Sequence, residues 1–200
     1  MATRRRTPTQ ERSRRTVERI VDAAAVVLAD AGYDAASTNR IAAQAGISPG
    51  TLYGYFSGKD EIVAAVIDRV VDGFAESVAP ALREAAGQPI EPATRLVLDA
   101  VLAEVEQRRD LIAAFIDRVP AERYAARVDA LRTRVADVTF HLVAASIPAA
   151  DRDELDRAVW TSVRTVEHLT VRFALAQPFE RDAFLDLLTG MVVGLAPPSR

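Results

Sequence analysis

The sequence predicts an all-α protein: an N-terminal three-helix unit containing a helix-turn-helix, joined by a long helix to a second helical domain. Three observations lead there. Apolar residues recur at spacings of three and four along nearly the whole chain, and no alternating strand pattern interrupts them. Residues 37–56, STNRIAAQAGISPGTLYGYF, read as two short helices about a glycine turn. Charge is unevenly divided: residues 1–60 carry nine basic against six acidic side chains, a net +3, which leaves the other 140 residues at −6. The overall −3 would argue against a polyanionic partner, but this division lets one end meet a polyanion while the bulk repels it.

Each helix has a sequence signal. The first is expected over about 11–31, with Val17, Ile20, Val21, Ala24, Leu28 and Ala31 on one stripe and Gly32 ending it at a position that favours φ > 0. Ser37 and Thr38 offer an N-cap for the second, which ends near Ala45. Gly46 makes the turn. Ser48 followed by Pro49 starts the third. Ser57-Gly58-Lys59-Asp60 reads as a capping box, with Asp for the usual Glu, and opens a fourth helix to about Ala85. Gly87, Pro89 and Pro92 interrupt the pattern. Further helices are expected at about 93–107, 110–117, 121–146, 151–176 and 180–195, with Pro148, Pro178 and Pro197-Pro198 as stops.

Composition removes several function classes. Half of the residues are apolar, enough for a packed core, yet no apolar run is long enough to span a bilayer. The basic start, MATRRRTPTQERSRR, is not followed by a signal-type apolar segment, and there is no cysteine. A cytoplasmic location, no cofactor and no metal are therefore expected. With two histidines, no nucleophile elbow and no metal-ligand spacing, an enzyme is not expected. Gly54-x-x-x-Gly58-Lys59-Asp60 superficially suggests a phosphate loop, but it is one residue short and lacks Ser or Thr after the lysine.

A helix pair that reads DNA has definite requirements, and residues 37–56 meet them. Ala42 and Ala45 let the helices approach closely. Ile47, Leu52 and Phe56 can anchor the second helix. Its leading end must be free of bulk to enter the major groove, and Ser48, Pro49, Gly50 and Thr51 satisfy that. Tyr53 and Tyr55 carry hydroxyls on rigid stems suited to phosphate oxygens. Lys59 lies where an ammonium and a helix N-terminus can share one phosphate.

These residues resemble the TetR family of bacterial transcription regulators. The matching positions are Ser37 (with Thr38), Ile41, Ala42, Ala45, Gly46, Ile47, Ser48, Gly50, Thr51, Leu52, Tyr53, Phe56 and Lys59. The resemblance is strong over about 12–75; beyond that, only length and helical content agree. It implies phosphate contacts through Thr38, Tyr53, Tyr55 and Lys59. It implies base contacts, direct or through water, from Arg40, Ser48, Pro49, Gly50 and Thr51. Two departures matter. Gly54 has no side chain to contribute, and Pro49 replaces a common basic residue. Arg40 is then the strongest candidate for a bidentate contact to guanine, which discriminates by about 1–3 kcal/mol where made. Arg4, Arg5 and Arg6 form an arm that is either solvated or laid in the minor groove. Arg14 and Arg15 are placed to face a phosphate.

The resemblance further implies a double-stranded DNA operator, palindromic as a two-fold protein requires, and a homodimer built from the last two helices, about 151–176 and 180–195. Stripes of Leu155, Val159, Val163, Val166, Thr170 and Phe173, and of Phe184, Leu187, Leu188, Met191, Val192 and Leu195, would supply that surface or pack within one chain. An unknown small-molecule effector is expected against Phe115, Tyr124, Phe140, Trp160, Arg164, Glu167 and His168, with His141 nearby. The alternative is an internal Arg164–Glu167 ion pair beside a core Trp160. The expected layout is a disordered basic arm over 1–11, the DNA-binding domain over 12–74, and a ligand-binding and dimerisation domain over 75–200. The function expected is a homodimeric repressor released by its effector, with an activator or a ligand-independent regulator as the alternative.

Overall fold

Glycine and proline mark several of the helix limits in the computed structural model. It describes residues 8–146 and 150–196. Arg4, Arg5, Arg6, Pro148 and Pro197-Pro198 lie outside the described residues. Every regular element among the described residues is helical. The residues group into two units: residues 1–70 with 113–125, and residues 71–112 with 126–200.

In the first unit, α1 runs Pro8–Ala35 and so starts earlier than the expected 11, with proline suited to its first turn. Gly32 adopts φ 74° inside it, so the regular helix stops there as expected, and a further turn follows. The helices α2 (Thr38–Gln44) and α3 (Pro49–Tyr53) come next, then α4 (Lys59–Ala85), whose first part belongs to this unit. Ile20, Leu28, Ile41, Leu52, Ile62, Val63 and Val66 are fully buried and make the core. Each such side chain contributes roughly 1.5–3 kcal/mol by leaving water.

The start of α4 corrects one expectation. Ser57 is bound by Glu61, not by Asp60: Glu61 Oε2 accepts from the Ser57 backbone N–H at 2.7 Å and from its hydroxyl at 2.8 Å. The helix begins at Lys59, so Glu61 is its third residue and reaches back four residues to Ser57, leaving Asp60 for other partners.

The second unit holds the rest of α4 with α5 (Ile90–Gln107), most of α7 (Ala125–Ser146), α8 (Arg152–Ala176) and α9 (Arg181–Leu195). The helix α6 (Arg109–Arg118) starts in this unit and ends in the first. Pro92 falls in the first turn of α5, where no intrahelical donor is needed, so that helix starts at 90 rather than 93. The single helix expected over 121–146 is divided. Ala121–Arg123 form a 3-10 turn, with Arg123 N–H donating to Pro120 and Tyr124 N–H to Ala121, and α7 follows. Asp151 caps α8 by accepting from the N–H groups of Asp153 and Glu154.

The core of this unit is Leu98, Leu102, Phe173, Phe184, Leu185 and Leu188. Phe173 and Phe184 stack with ring centres 4.1 Å apart. Arg181 closes its rim on Asp99 at 2.5 Å and Glu106 at 3.1 Å. Buried Glu104 pairs with Arg108 one turn on, and Gly73 leaves the room for that guanidinium. The two expected stripes divide by helix. Leu155, Val159, Thr170 and Phe173 of α8 face inward. On α9, Phe184 and Leu188 are buried, whereas Leu187, Met191 and Leu195 are exposed, so this helix is apolar on two sides.

Candidate nucleic-acid interface

The turn between α2 and α3 is fixed from three directions. Gly46 adopts φ 64°, which a residue with a Cβ rarely takes. The Ile47 N–H donates to the Ala42 carbonyl at 3.0 Å. Arg19, reaching across from α1, donates to the Ala45 carbonyl at 2.5 Å. No sequence signal marked Arg19, because the contact spans 26 residues and nothing local distinguishes this arginine from its neighbours.

Once α3 is anchored by buried Leu52 and Phe56, its other side carries the predicted reading residues. Ser48 caps the helix, accepting from the Thr51 N–H at 3.1 Å, and its hydroxyl lies 2.8 Å from that of Thr51. Both hydroxyls stay exposed, as do Pro49 and Gly50. Tyr53 is 55 % exposed, and its hydroxyl shares a hydrogen bond with Thr38 at 3.0 Å, joining the start of α2 to the end of α3. Tyr55 is half-buried. Thr38, Ser48, Thr51 and Tyr53 thus form an exposed set of hydroxyls on the helix pair.

The predicted cations are less available. Arg40 is exposed but turned back, donating to the Ala35 carbonyl at 3.1 Å. Lys59 donates to the Tyr33 carbonyl at 2.8 Å and sits 4.0 Å from the centre of the Tyr33 ring. Arg14 and Arg15 pair along α1 with Glu18 and Glu11. A carboxylate four residues away was visible in the sequence for both.

The residues expected at an effector are divided between the two units. Phe115 and Tyr124 meet edge to face at 6.3 Å within the first unit. The others belong to the second. Phe140 is half-buried with Arg152 over its ring, and His141 packs edge-on against it. Trp160 is 62 % exposed, with Arg164 over its indole, and His168 is exposed. Arg164 and Glu167 are not paired with each other as the alternative supposed. Glu167 takes a two-pronged contact from Arg132, and Arg164 lies 3.5 Å from Asp129. Arg132 is held above the ordinary arginine range chiefly by its hydrogen bonds to Glu167.

A locked helix-turn-helix with hydroxyls at its leading end, followed by a separate helical unit, defines a two-part helix-turn-helix regulatory protein. Comparison with known proteins gives the family. Residues 20–66 match the bacterial regulatory proteins, tetR family, and residues 89–195 match the tetracyclin repressor-like C-terminal domain. The chain belongs to the TetR family.

Among similar proteins, a fatty acid metabolism regulator protein of Bacillus subtilis (strain 168) is 36 % identical over 67 residues, 34 % of each chain. The HTH-type transcriptional activator FasR of Mycolicibacterium smegmatis is 46 % identical over 61 residues, 30 % of this chain and 28 % of that one. The similarity thus spans about a third of these relatives' lengths. A TetR-like transcriptional regulator from Rhodococcus sp. RHA1 superimposes with TM-score 0.69 at 28 % identity, covering 92 % of this chain and 97 % of that one. The fatty acid degradation regulator FadR from Bacillus halodurans gives TM-score 0.69 at 16 % identity, covering 94 % and 96 %. At that identity the likeness concerns the fold.

Proposed function

We propose that the protein is a homodimeric, sequence-specific DNA-binding regulator, a repressor released from its operator by a small molecule. The observation that carries this is the exposed hydroxyl set Thr38, Ser48, Thr51 and Tyr53 on a helix pair locked by Gly46 and Arg19. Phosphate contacts fall to Thr38, Tyr53, Tyr55 and Lys59. Base contacts fall to Arg40, Ser48, Pro49, Gly50 and Thr51, with Arg40 swinging off the Ala35 carbonyl to reach an edge. Few of these side chains reach far, so DNA shape carries part of the recognition.

Two copies are required because one helix-turn-helix reads few base pairs. The outer face of α9, with Leu187, Met191 and Leu195, supports pairing of this helix and α8 with a second copy on a palindromic operator. Phe140, Trp160, Arg164, Glu167 and His168 of the second unit are the proposed effector contacts. Fatty acyl compounds are the first to test, since one relative is named for fatty acid metabolism. An activator is the second reading, favoured by the name of the FasR relative. The action is non-enzymatic and cytoplasmic; among the described residues no helix is long and apolar enough to cross a membrane.

The test is a gel shift with DNA from the upstream region of the protein's own gene and with a genomic fragment library. A sequence-specific shift that weakens steeply with salt is expected. No such shift on any fragment would overturn the proposal. Footprints upstream of the promoter rather than across it would favour activation.

A further inference from the structure

Lys59 and Asp60 stand side by side at the start of α4, and a residue from far along the chain decides how they present themselves. Asp60 accepts from the Tyr33 hydroxyl through one oxygen and from Arg123 Nη1 through the other, at 2.5 Å. The Arg123 guanidinium also lies 5.3 Å from the centre of the Tyr33 ring, the same buried ring that carries Lys59. Arg123 sits in the 3-10 turn, 63 residues beyond Asp60, yet groups with the first unit. Glu61, the next carboxylate, is taken up by Ser57.

Consider this cluster as a phosphate would meet it. An ammonium has three donors, and the Tyr33 carbonyl occupies one. The remainder of Lys59 and the α4 N-terminus attract an anion, but the carboxylate of the adjacent residue Asp60 repels it. A carboxylate close to an ammonium weakens its pull on an incoming anion, so an uncompensated Asp60 would offset Lys59. Arg123 supplies that compensation.

We propose that Arg123 is a positioning residue for DNA binding: by holding Asp60 it cancels the carboxylate beside Lys59 and leaves the Lys59 ammonium to a backbone phosphate. This rests on the DNA-binding reading above. It assigns a role in DNA affinity to a residue outside the helix-turn-helix that touches no DNA itself.

The test is a double-mutant cycle in the full-length protein, read by salt-titrated binding to the fragment that the wild type selects. Arg123→Ala is expected to weaken binding roughly three- to tenfold at low salt and progressively less as salt rises. Arg123→Lys should bind as the wild type does. Asp60→Asn should bind at least as tightly as the wild type, and Arg123→Ala should lose its effect in that background. Wild-type affinity in Arg123→Ala, or the same loss with and without Asp60, would overturn the proposal; the second result would make Arg123 a tether. Should Arg123→Ala melt far below the wild type, Arg123→Lys against Arg123→Gln, both folded, makes the same comparison. A wild type that selects no fragment overturns the DNA-binding reading itself, whereas a binding wild type with an equally good Arg123→Ala overturns this inference alone.

Discussion

Tyr53 and Tyr33 show how differently one residue type is used within a single unit. Tyr53 is exposed and bonded only to another exposed hydroxyl, Thr38. Tyr53→Phe should leave the melting temperature within a degree or so of the wild type while weakening DNA binding by about fivefold, the loss of one hydrogen bond worth about 1 kcal/mol. Equal affinity in a gel shift would remove Tyr53 from the phosphate contacts. Tyr33, by contrast, is buried and shares its proton with Asp60. That bond, followed by burial, pushes the Tyr33 phenol above its ordinary 10.0. The same bond holds Asp60 below its ordinary 3.8, with Arg123 adding to it against the opposing pull of burial. A lowered carboxylate stabilises the fold above its unfolded value and ceases to as pH falls through its folded value. A raised phenol stabilises below its unfolded value and ceases to as pH rises through its folded one. Urea melts across pH should therefore show an acid loss that Asp60→Asn removes and an alkaline loss that Tyr33→Phe removes. Unchanged pH profiles in both variants would show that this bond contributes nothing.

Among the elements, α3 is the most exposed to a single change, because five residues cannot hold a helix by themselves. Its cap is Ser48, and Ser48→Ala should cost about 1 kcal/mol of stability, measured by urea melts, in line with other N-cap removals. It should also lower DNA affinity, since the Thr51 hydroxyl loses its partner; a stable variant with full affinity would show that the cap is dispensable. The elements also show what was legible beforehand. Ser37, Gly46 and the Ser48-Pro49 pair marked the limits of α2 and α3 because caps and turns are local chemistry, written in adjacent residues. The division of 121–146 was not legible: no residue between Ala121 and Tyr124 is a glycine or proline, the turn is closed by backbone bonds from Arg123 and Tyr124, and Arg123 is engaged by an aspartate 63 residues earlier. Helical spacing placed Trp160, Arg164 and Glu167 on one face of α8 but could not say whether that face is covered. Trp160 proves exposed, and Arg164 and Glu167 find α7 partners. Nor could spacing reveal that Glu104 is buried, since a charge on an amphipathic helix is ordinarily solvated.

For the whole molecule, the consequential surface is the outer side of α9. Leu187 is 64 % exposed, and Gly190 and Gly194 beside it have open space where a Cβ would stand. Large apolar side chains flanking small residues allow two helices to approach closely, and in a two-fold pair the same surface is used by both copies. Leu187→Arg combined with Met191→Arg should therefore convert a dimer to a monomer in sedimentation or light scattering, with little effect on melting of the single chain. Operator affinity should fall by at least a hundredfold as the second reading head is lost. A double variant that remains dimeric would place the interface elsewhere.

The composition of the first unit has a consequence for how the protein is made. Residues 113–125 belong to it although more than forty residues of the second unit precede them in the chain. Synthesis proceeds from the N-terminus, so α1 to α3 leave the ribosome well before Arg123 exists. During that interval Tyr33 and Asp60 have each other but lack their third member. The reading unit is therefore finished only when the chain has already committed to α5 and α6, and a fragment ending at residue 75 should melt at a lower temperature than the same unit in the full chain. Completion of the part that meets DNA is tied in time to growth of the part that follows it.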